Sequence, residues 1–366
     1  MSLALASAEV AQPIRVMVVD DSAVIRGLIA RTLEAEGDIK IASSVGDGRA
    51  AVSALERNPV DVIVLDVEMP VMDGLTAIPL LLKAQPGIKI LMASTLTRKN
   101  AQTTLRALAA GATDFLLKPS AVREILGPVS FNRDLLTKVR ELGARARRSF
   151  REPLQNARLA PLPENPNRIA LRPSVFRAPE VIAIGSSTGG PQALLQVMKA
   201  LGPTIRVPIL ITQYMPPTFT TILAAQISRQ CGITTVEGRD GDNVRPGHVY
   251  VAPGNFHMTV DSAHVIRLNQ GPQENYCRPS VDPMMRSIVE VYRSRVLAVM
   301  LTGMGHDGLA GCQSVVQAGG AVIAQDEATS VVWGMPGAVV KAGLCMAVLP
   351  LADIGPRLRP YASGEG

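Results

Sequence analysis

Residues 61–70 read DVIVLDVEMP, an aliphatic run that ends in an aspartate and is followed closely by a proline. The run 61–65 is one of five short apolar runs that alternate with longer amphipathic stretches; the others are 14–19, 39–43, 88–93 and 113–117. Because the runs are rich in Val, Ile and Leu, both faces of each strand are expected to be covered. The pattern predicts a parallel five-stranded sheet with helices on both faces, a doubly wound α/β domain.

Polar side chains follow these predicted strands. Asp20 and Asp21 follow the first, Asp66 ends the third, Ser94 ends the fourth and Lys118 ends the fifth. Chemistry in such folds gathers at the carboxyl ends of the strands, so these groups are expected to converge. Clustered carboxylates need a hard cation, and Mg²⁺ suits an oxygen-only site. An aspartate there is suited to attack a phosphoryl group, with the lysine and the serine hydroxyl binding the phosphoryl oxygens.

The same residues resemble the receiver domain of two-component response regulators. The matching motifs are VDDS at 19–22, LDVEMP at 65–70, MDG at 72–74 and LKP at 117–119. The resemblance implies a flavodoxin-like fold with Asp66 as phosphoacceptor. It further implies Mg²⁺ bound by Asp21, Asp66 and the Glu68 carbonyl, with Asp20 reached through water. It implies switch roles for Ser94, Phe115 and Lys118.

A basic segment follows this domain. The 366-residue chain carries a net charge of +6, and residues 133–177 contain eleven Lys and Arg against four acids, so the rest sums to −1. The segment holds five prolines and few aliphatic residues after Leu142, which predicts the end of a helix and then an extended linker. Aromatic residues make up only 3% of the chain, which argues against a nucleic-acid reader built on stacked rings.

Strand and helix alternate again from residue 179, with two glycine-rich loops. The apolar run 181–184 leads into GSSTGG at 185–190, which exposes Ser187 on a tight turn before a helix expected near Pro191. A second run, 296–301, leads into TGMGHDG at 302–308. Gly185-x-Ser187-x-Gly189 also satisfies the nucleophile elbow of α/β-hydrolases, but only His306, directly beside Asp307, could complete that triad in order. The spacing does not fit a dinucleotide loop.

Together these loops resemble the catalytic domain of the CheB family of chemotaxis protein-glutamate methylesterases. The matching segments are IGSSTGG at 184–190, ITQYMPPTFT at 211–220, VAPG at 251–254, HM at 257–258, RPSVD at 278–282, LTGMG at 301–305 and GMP at 334–336. The resemblance implies Ser187 as nucleophile, Asp307 as orienting acid and the amides of Thr188 and Met304 as oxyanion donors. It implies a receiver domain (14–132), a linker (133–178) and a Rossmann-like methylesterase domain (179–353), the second without a cofactor.

One position departs from the family motif. Tyr214 stands where the resemblance implies a catalytic histidine. An ordinary phenol is only about 0.1% ionised at neutral pH and accepts a serine proton poorly. Three hypotheses stay open: a slow or silent esterase, an esterase that recruits His257 or His306, and an activated tyrosine. Cys277 also stands where the family tends to have histidine.

The sequence therefore predicts a phosphorylation-activated methylesterase, and by resemblance a glutamine deamidase, acting on methyl-accepting chemotaxis receptors. A chemotaxis histidine kinase is the implied phosphodonor. The alternative is a catalytically weakened or inactive phosphate-sensing binding protein. The four cysteines lack CxxC pairs and no apolar run reaches the roughly 18 residues of a membrane span, so a cytoplasmic protein without membrane insertion is expected. The absence of a helix-turn-helix signal argues against DNA output.

Overall fold

The computed structural model describes residues 12–119, 129–155, 171–172 and 177–364. The chain divides into two compact units, each built around a parallel sheet. The prediction of two doubly wound parallel sheets is therefore confirmed. Most of the extended part of the predicted linker, residues 156–170 and 173–176, lies outside the described residues.

The first sheet has five parallel strands in the order β2-β1-β3-β4-β5. The strands are β1 (Ile14–Val19), β2 (Ile39–Val45), β3 (Val62–Asp66), β4 (Lys89–Ser94) and β5 (Asp114–Leu117). The helices between them are α1 (Ala23–Glu34), α2 (Gly48–Arg57), α3 (Gly74–Ala84) and α4 (Arg98–Ala109). Side chains of Ser22, Asp47 and Asp73 accept backbone N–H groups in the first turns of α1, α2 and α3, which fixes where these helices begin.

Helix α5 (Val129–Gln155) corrects the predicted start of the linker at residue 133. Its buried apolar side chains recur at helical spacing and pack in the first unit: Phe131, Leu135, Val139, Leu142 and Ala146. Several of its basic residues form ion pairs with the same unit, including Arg147 with Asp61 and Lys138 with Asp114. Residues 133–148 thus belong to a packed helix, because their basic side chains lie on the flanks of an apolar stripe.

The second sheet has seven parallel strands in the order β14-β13-β12-β6-β7-β9-β8. The strands are β6 (Val181–Ser186), β7 (Ile209–Gln213), β8 (Thr235–Glu237), β9 (Val249–Val251), β12 (Val296–Met300), β13 (Ala321–Gln325) and β14 (Ala347–Leu349). A separate antiparallel pair joins β10 (His257–Val260) and β11 (Ile266–Asn269). The helices are α6 (Gly190–Leu201), α7 (Phe219–Cys231), α8 (Val281–Tyr292), α9 (Leu309–Gln317), α10 (Met335–Lys341) and α11 (Leu351–Ala362).

The order of the second sheet places three site loops at neighbouring strands. Strand β6 lies between β12 and β7, and the chain moves outward in opposite directions from it. The loops after β6, β7 and β12 therefore meet at the switch point, where doubly wound folds bind their ligands. Within the described part of the chain, no helix combines the length and the hydropathy needed to cross a bilayer.

Candidate active site

The first unit gathers three carboxylates at the carboxyl end of its sheet. Asp20 and Asp21 follow β1 and Asp66 ends β3, and ligand oxygens of the three residues lie within 4.8 Å of one another. The Lys118 ammonium lies 2.6 Å from Asp20 Oδ2 and 2.7 Å from Asp66 Oδ1. Gly74 is required beneath this site because a Cβ there would lie 2.1 Å from the Asp66 carbonyl oxygen. The three carboxylates and the lysine that the sequence predicted to converge do lie together.

Lys118 forms ion pairs with two of the three carboxylates in this cluster, those of Asp20 and Asp66. Burial raises the pKa of the Asp66 carboxyl, the charge of Asp20 acts in the same direction, and Lys118 opposes both. Asp20 Oδ2 is buried without a well-aligned hydrogen bond from any described residue. An all-oxygen donor set with excess negative charge fits a hard divalent cation such as Mg²⁺.

The remaining predicted receiver residues lie around the cluster. Ser94 is fully buried at the end of β4, and its carbonyl accepts the Lys118 N–H at 2.8 Å. Phe115 is buried in β5, whereas the Glu68 side chain is exposed. The switch candidates therefore lie on β4, which pairs with β3, and on β5, the edge strand that Lys118 follows.

In the second unit the two glycine-rich loops are joined directly. The Ser187 N–H donates to the Thr302 carbonyl at 3.1 Å, and the Thr302 hydroxyl lies 2.9 Å from the Thr188 carbonyl oxygen. The backbone at Gly303 lies close to the serine, because a Cβ there would be 3.1 Å from the Ser187 Cβ. Met304 is the next residue in this loop. Ser187 itself is partly exposed. The two loops predicted to form one site are in contact.

A buried amide ties the serine turn to residue 214. Gln213 Oε1 accepts the Ser186 hydroxyl at 2.7 Å, and Nε2 donates to the carbonyls of Ser187 at 2.9 Å and Tyr214 at 3.2 Å. The Tyr214 N–H donates back to the Ser186 carbonyl at 3.3 Å. A Cβ on Gly190 would lie 1.9 Å from Gln213 Oε1, so a glycine there leaves room for the amide. The backbone that carries Tyr214 is therefore fixed relative to Ser187.

Asp307 lies buried at the amino end of α8. Its Oδ2 accepts the Val281 N–H at 2.7 Å, and its Oδ1 accepts the Ser280 hydroxyl at 2.7 Å and the Asn275 side-chain amide at 3.0 Å. The first-turn N–H groups and the helix dipole stabilise a carboxylate at this position. The Val281 side chain packs against both Gly185 and Gly308, which brings Asp307 to the same edge of the sheet as Ser187.

A second buried carboxylate accompanies Asp307. Asp282 accepts the Gly311 N–H at 2.6 Å, and the amide of Asn275 donates to Asp282 Oδ2 at 2.9 Å while also bonding Asp307. Burial raises the pKa of Asp282, and the charge of Asp307 adds to the shift. The two acids are thus held by neutral donors.

Neither of the two histidines considered as a replacement base, His257 and His306, forms a hydrogen bond to Ser187 in the described part of the chain. His257 is buried, its Nε2 lies 2.9 Å from the Pro272 carbonyl, and its Nδ1 accepts the Ser280 N–H at 3.3 Å. His306 is exposed whereas Asp307 is buried, so these neighbours point apart. No hydrogen bond of the Ser187 hydroxyl occurs within the described part of the chain. Tyr214 is 38% exposed, and the side chain of Cys277 is partly buried.

Sequence reasoning missed Gln213, Asn275, Ser280 and Asp282 as parts of the site. Gln213 directly precedes Tyr214 in ITQYMPP, and two of the others lie in RPSVD at 278–282. For Gln213, Ser280 and Asp282 the matching segment was the available signal, whereas Asn275 lies outside every such segment. The contacts of all four depend on tertiary packing.

Comparison with known proteins agrees with this geometry. The family model for the response regulator receiver domain matches residues 16–130, and that for CheB methylesterase matches residues 182–358. A protein of Azospirillum brasilense named protein-glutamate methylesterase/protein-glutamine glutaminase is 58% identical, over 96% of this chain and 93% of that protein. The chain belongs to this methylesterase family.

A second relative and a solved catalytic domain are also similar to this chain. The group 2 operon protein-glutamate methylesterase/protein-glutamine glutaminase of Rhodospirillum centenum is 55% identical, over 96% of this chain and 94% of that protein. The solved CheB methylesterase catalytic domain of Thermotoga maritima is 39% identical, with a TM-score of 0.48, over 50% of this chain and 98% of that chain.

Proposed function

We propose that this chain is a phosphorylation-activated protein-glutamate methylesterase that also deamidates glutamine, acting on methyl-accepting chemotaxis receptors in the cytoplasm. The observation that carries the proposal is the contact of the Ser187 turn with the Gly303 loop at the switch point of the second sheet. The same chain carries the acidic cluster and Lys118 of a receiver. A chemotaxis histidine kinase is the proposed phosphodonor.

In the proposed reaction the Ser187 hydroxyl attacks the carbonyl carbon of a glutamyl methyl ester. The N–H groups of Thr188 and Met304 bind the oxyanion of the tetrahedral intermediate. Collapse breaks the bond to the methoxy oxygen, which leaves with a proton as methanol, and water then hydrolyses the acyl-enzyme to glutamate and free Ser187. With glutamine the leaving group is ammonia.

The hydroxyl proton of Ser187 needs an acceptor, and we propose that its transfer limits the rate of turnover. Tyr214 occupies the base position on a backbone fixed by Gln213. Because a neutral phenol does not accept a proton readily, we propose that turnover at neutral pH is slow and depends chiefly on the oxyanion donors and on substrate positioning. Asp307 remains in place to orient an imidazole if one is supplied at residue 214.

In the receiver we propose Asp66 as phosphoacceptor and Asp20, Asp21, Asp66 and the Glu68 carbonyl as the surroundings of Mg²⁺. When bound, Mg²⁺ supplies positive charge that offsets the phosphoryl oxygens. Lys118 binds a phosphoryl oxygen after leaving its pairing with the free carboxylates. Ser94 and Phe115 are the proposed switch residues, and their response to phosphorylation raises esterase activity.

The test is release of methanol from receptor membranes carrying labelled methyl esters. We expect slow release that increases when acetyl phosphate and Mg²⁺ are added, and that disappears in Ser187→Ala. Release equal in wild type and Ser187→Ala would contradict the proposed nucleophile. No release from wild type, together with release from Tyr214→His, would instead identify an inactive phosphate-sensing binding protein on an intact esterase scaffold.

A further inference from the structure

One side-chain amide connects the two buried acids of the second unit. Nδ2 of Asn275 donates to Asp307 Oδ1 at 3.0 Å and to Asp282 Oδ2 at 2.9 Å. An amide nitrogen carries two N–H groups, so each acid receives one of them. The orientation of the amide follows from these partners, because its carbonyl oxygen in the same place would face two carboxylates. Asn275 is therefore a neutral side chain that bonds both acids at once.

The amide is held in place by the turn that carries it. The Cys277 N–H donates to the Glu274 carbonyl at 2.8 Å, and the Glu274 N–H donates to the Cys277 carbonyl at 3.2 Å. Asn275 lies between them with a φ of 52°, a conformation that asparagine adopts more readily than most other residues. The Arg286 guanidinium donates to both oxygens of Glu274, at 2.7 and 2.8 Å. An asparagine at this position thus combines the conformation that the turn needs with the donors that the acids need.

The two carboxylate oxygens of Asp307 differ in how many donors they receive. Oδ1 accepts the Ser280 hydroxyl at 2.7 Å, the Asn275 amide at 3.0 Å and the Asp282 N–H at 3.3 Å. Among the described residues, Oδ2 accepts only the Val281 N–H, at 2.7 Å. A carboxylate oxygen offers about two acceptor sites, so Oδ1 is filled and Oδ2 keeps one. We infer that Asn275 is a positioning residue of the esterase site, which fixes Asp307 so that Oδ2 is the oxygen left to bind a base.

This role rests on the proposed function, in which Asp307 orients a base at residue 214. Burial raises the pKa of Asp282 and the charge of Asp307 adds to the shift, whereas the hydrogen bond from Asn275 acts against it. Other titratable side chains linked to the pair include Glu274, Arg286, His257 and Cys312. The amide thus lessens the cost of keeping two neighbouring carboxylates ionised. Without it, we expect Asp307 to turn more freely and the base to lose a fixed partner.

The first test uses the full chain in the Tyr214→His background, where the base is an imidazole. Asn275→Gly removes both N–H donors and accepts a φ of 52°, so the variant is expected to fold, as monitored by the fluorescence of Trp333, the single tryptophan. We expect kcat for methanol release from methylated receptor membranes to fall about 10- to 100-fold, with KM within about twofold. Asn243→Gly, at an exposed position of the same unit, is the matched control and should leave kcat unchanged.

Asn275→Asp gives a readout that a merely structural role would not move. The new carboxyl has the shape of the amide, but ionised it offers the two acids no donor, whereas protonated it supplies one O–H. Two neighbouring negative charges raise the pKa of such a carboxyl. We therefore expect the kcat of this variant, divided by that of Tyr214→His at the same pH, to rise as the pH is lowered through that pKa. If the glycine variant does not fold, this ratio decides. A ratio independent of pH, or a kcat unchanged in Asn275→Gly, would overturn the inference.

The pKa of the imidazole introduced at residue 214 distinguishes failure of the positioning role from failure of the proposed function. An ionised Asp307 bonded to that imidazole raises its pKa above the ordinary value of about 6.5, which NMR titration measures. We expect Asn275→Gly to bring this pKa back toward the ordinary value, with or without turnover. A pKa lowered in this way, without any Ser187-dependent methanol release, would refute the proposed function alone. Ser187-dependent release with the imidazole pKa and kcat unchanged in Asn275→Gly would refute the positioning role alone.

Discussion

Asp20 and Asp66 in the first unit share the ammonium of Lys118, whereas Asp282 and Asp307 in the second unit are held by neutral donors. In both pairs the carboxylates are buried, and in both burial raises the pKa of one member. The first site balances its charge with a movable side chain. The second holds its carboxylates through backbone N–H groups, a serine hydroxyl and a side-chain amide, with the charge of Arg286 as a smaller contribution.

This difference fits two kinds of chemistry. A lysine can exchange carboxylate oxygens for phosphoryl oxygens, so the first cluster is suited to a reaction that changes its charge. Donors at a helix terminus do not move, so the second pair is suited to keeping one acid ionised and oriented through a catalytic cycle. With the roles proposed above, the first unit has the acids and the lysine that phosphorylation needs, whereas the second has the proposed nucleophile and acid but tyrosine, not histidine, at residue 214.

The largest effect is expected where the esterase site is incomplete. Tyr214→His places an imidazole on a backbone already fixed by Gln213, next to the serine turn. We expect kcat for methyl ester hydrolysis to rise roughly 10²- to 10⁴-fold, the usual contribution of a general base. Stopped-time methanol assays measure the effect, with Tyr214→Phe as the control that is expected to stay near wild type.

A large loss in Tyr214→Phe would show that the phenol hydroxyl itself takes part in turnover. A histidine variant no faster than wild type would mean that another group already acts as base or that Asp307 does not orient the ring. Either result would mean that the esterase site is not limited by the absence of histidine at residue 214.

Removal of Asp66, the proposed phosphoacceptor, is expected to uncouple esterase activity from phosphorylation. Asp66→Asn should abolish the increase in esterase rate produced by acetyl phosphate and Mg²⁺, because no acyl phosphate forms at an amide. Couplings between two sites typically amount to about 5- to 150-fold, and this whole factor should disappear while the basal rate remains. Chelation of Mg²⁺ by EDTA should have the same effect on wild type. Stimulation that persists in the variant would argue for a different phosphoacceptor.

The contrast also explains what could be predicted from the sequence. The five strands of the first sheet, β6 and β12 of the second, and the convergence of Asp20, Asp66 and Lys118 follow from continuous aliphatic runs and from where those runs end. Gln213 and Asn275 could not be found this way, since each acts on groups that only tertiary packing brings near. The short strands β8, β10 and β11 lack a long apolar run, and the basic charge of α5 concealed its buried stripe.

Loss of the Gln213 hydrogen bonds should reduce turnover by shifting residue 214 relative to Ser187. Gln213→Glu keeps the shape of the side chain but places a carboxylate against the carbonyl oxygens of Ser187 and Tyr214. In the Tyr214→His background we expect kcat to fall about 10- to 100-fold with KM little changed, because misplacement of about 1 Å costs such factors. The exposed Gln230→Glu is the matched control. A rise in KM alone would contradict a positioning role.

Stability of the phosphoacceptor site should depend on the close approach at Gly74. Gly74→Ala places a methyl group 2.1 Å from the Asp66 carbonyl oxygen, and backbone cannot move aside cheaply. We expect a loss of about 2 kcal/mol in the free energy of unfolding of the first unit. Gly27→Ala in α1, which meets nothing within 4 Å, should instead be neutral or stabilising by up to about 1 kcal/mol. Urea unfolding followed by circular dichroism compares the two variants.

The smallest effect concerns the pH dependence of the neutral-donor pair in the second unit. Because the pKa of Asp282 is higher in the folded protein than its ordinary value of 3.8, the folded state binds more protons between those two values. The free energy of unfolding therefore falls as pH rises through that window and is constant above it. Asp282→Asn removes this contribution, so its stability relative to wild type should increase across the window and then level off. Urea unfolding followed by Trp333 fluorescence at a series of pH values measures the difference. A difference independent of pH would mean that the donors around Asp282 fully offset its burial, and the second pair would then resemble the first in charge balance.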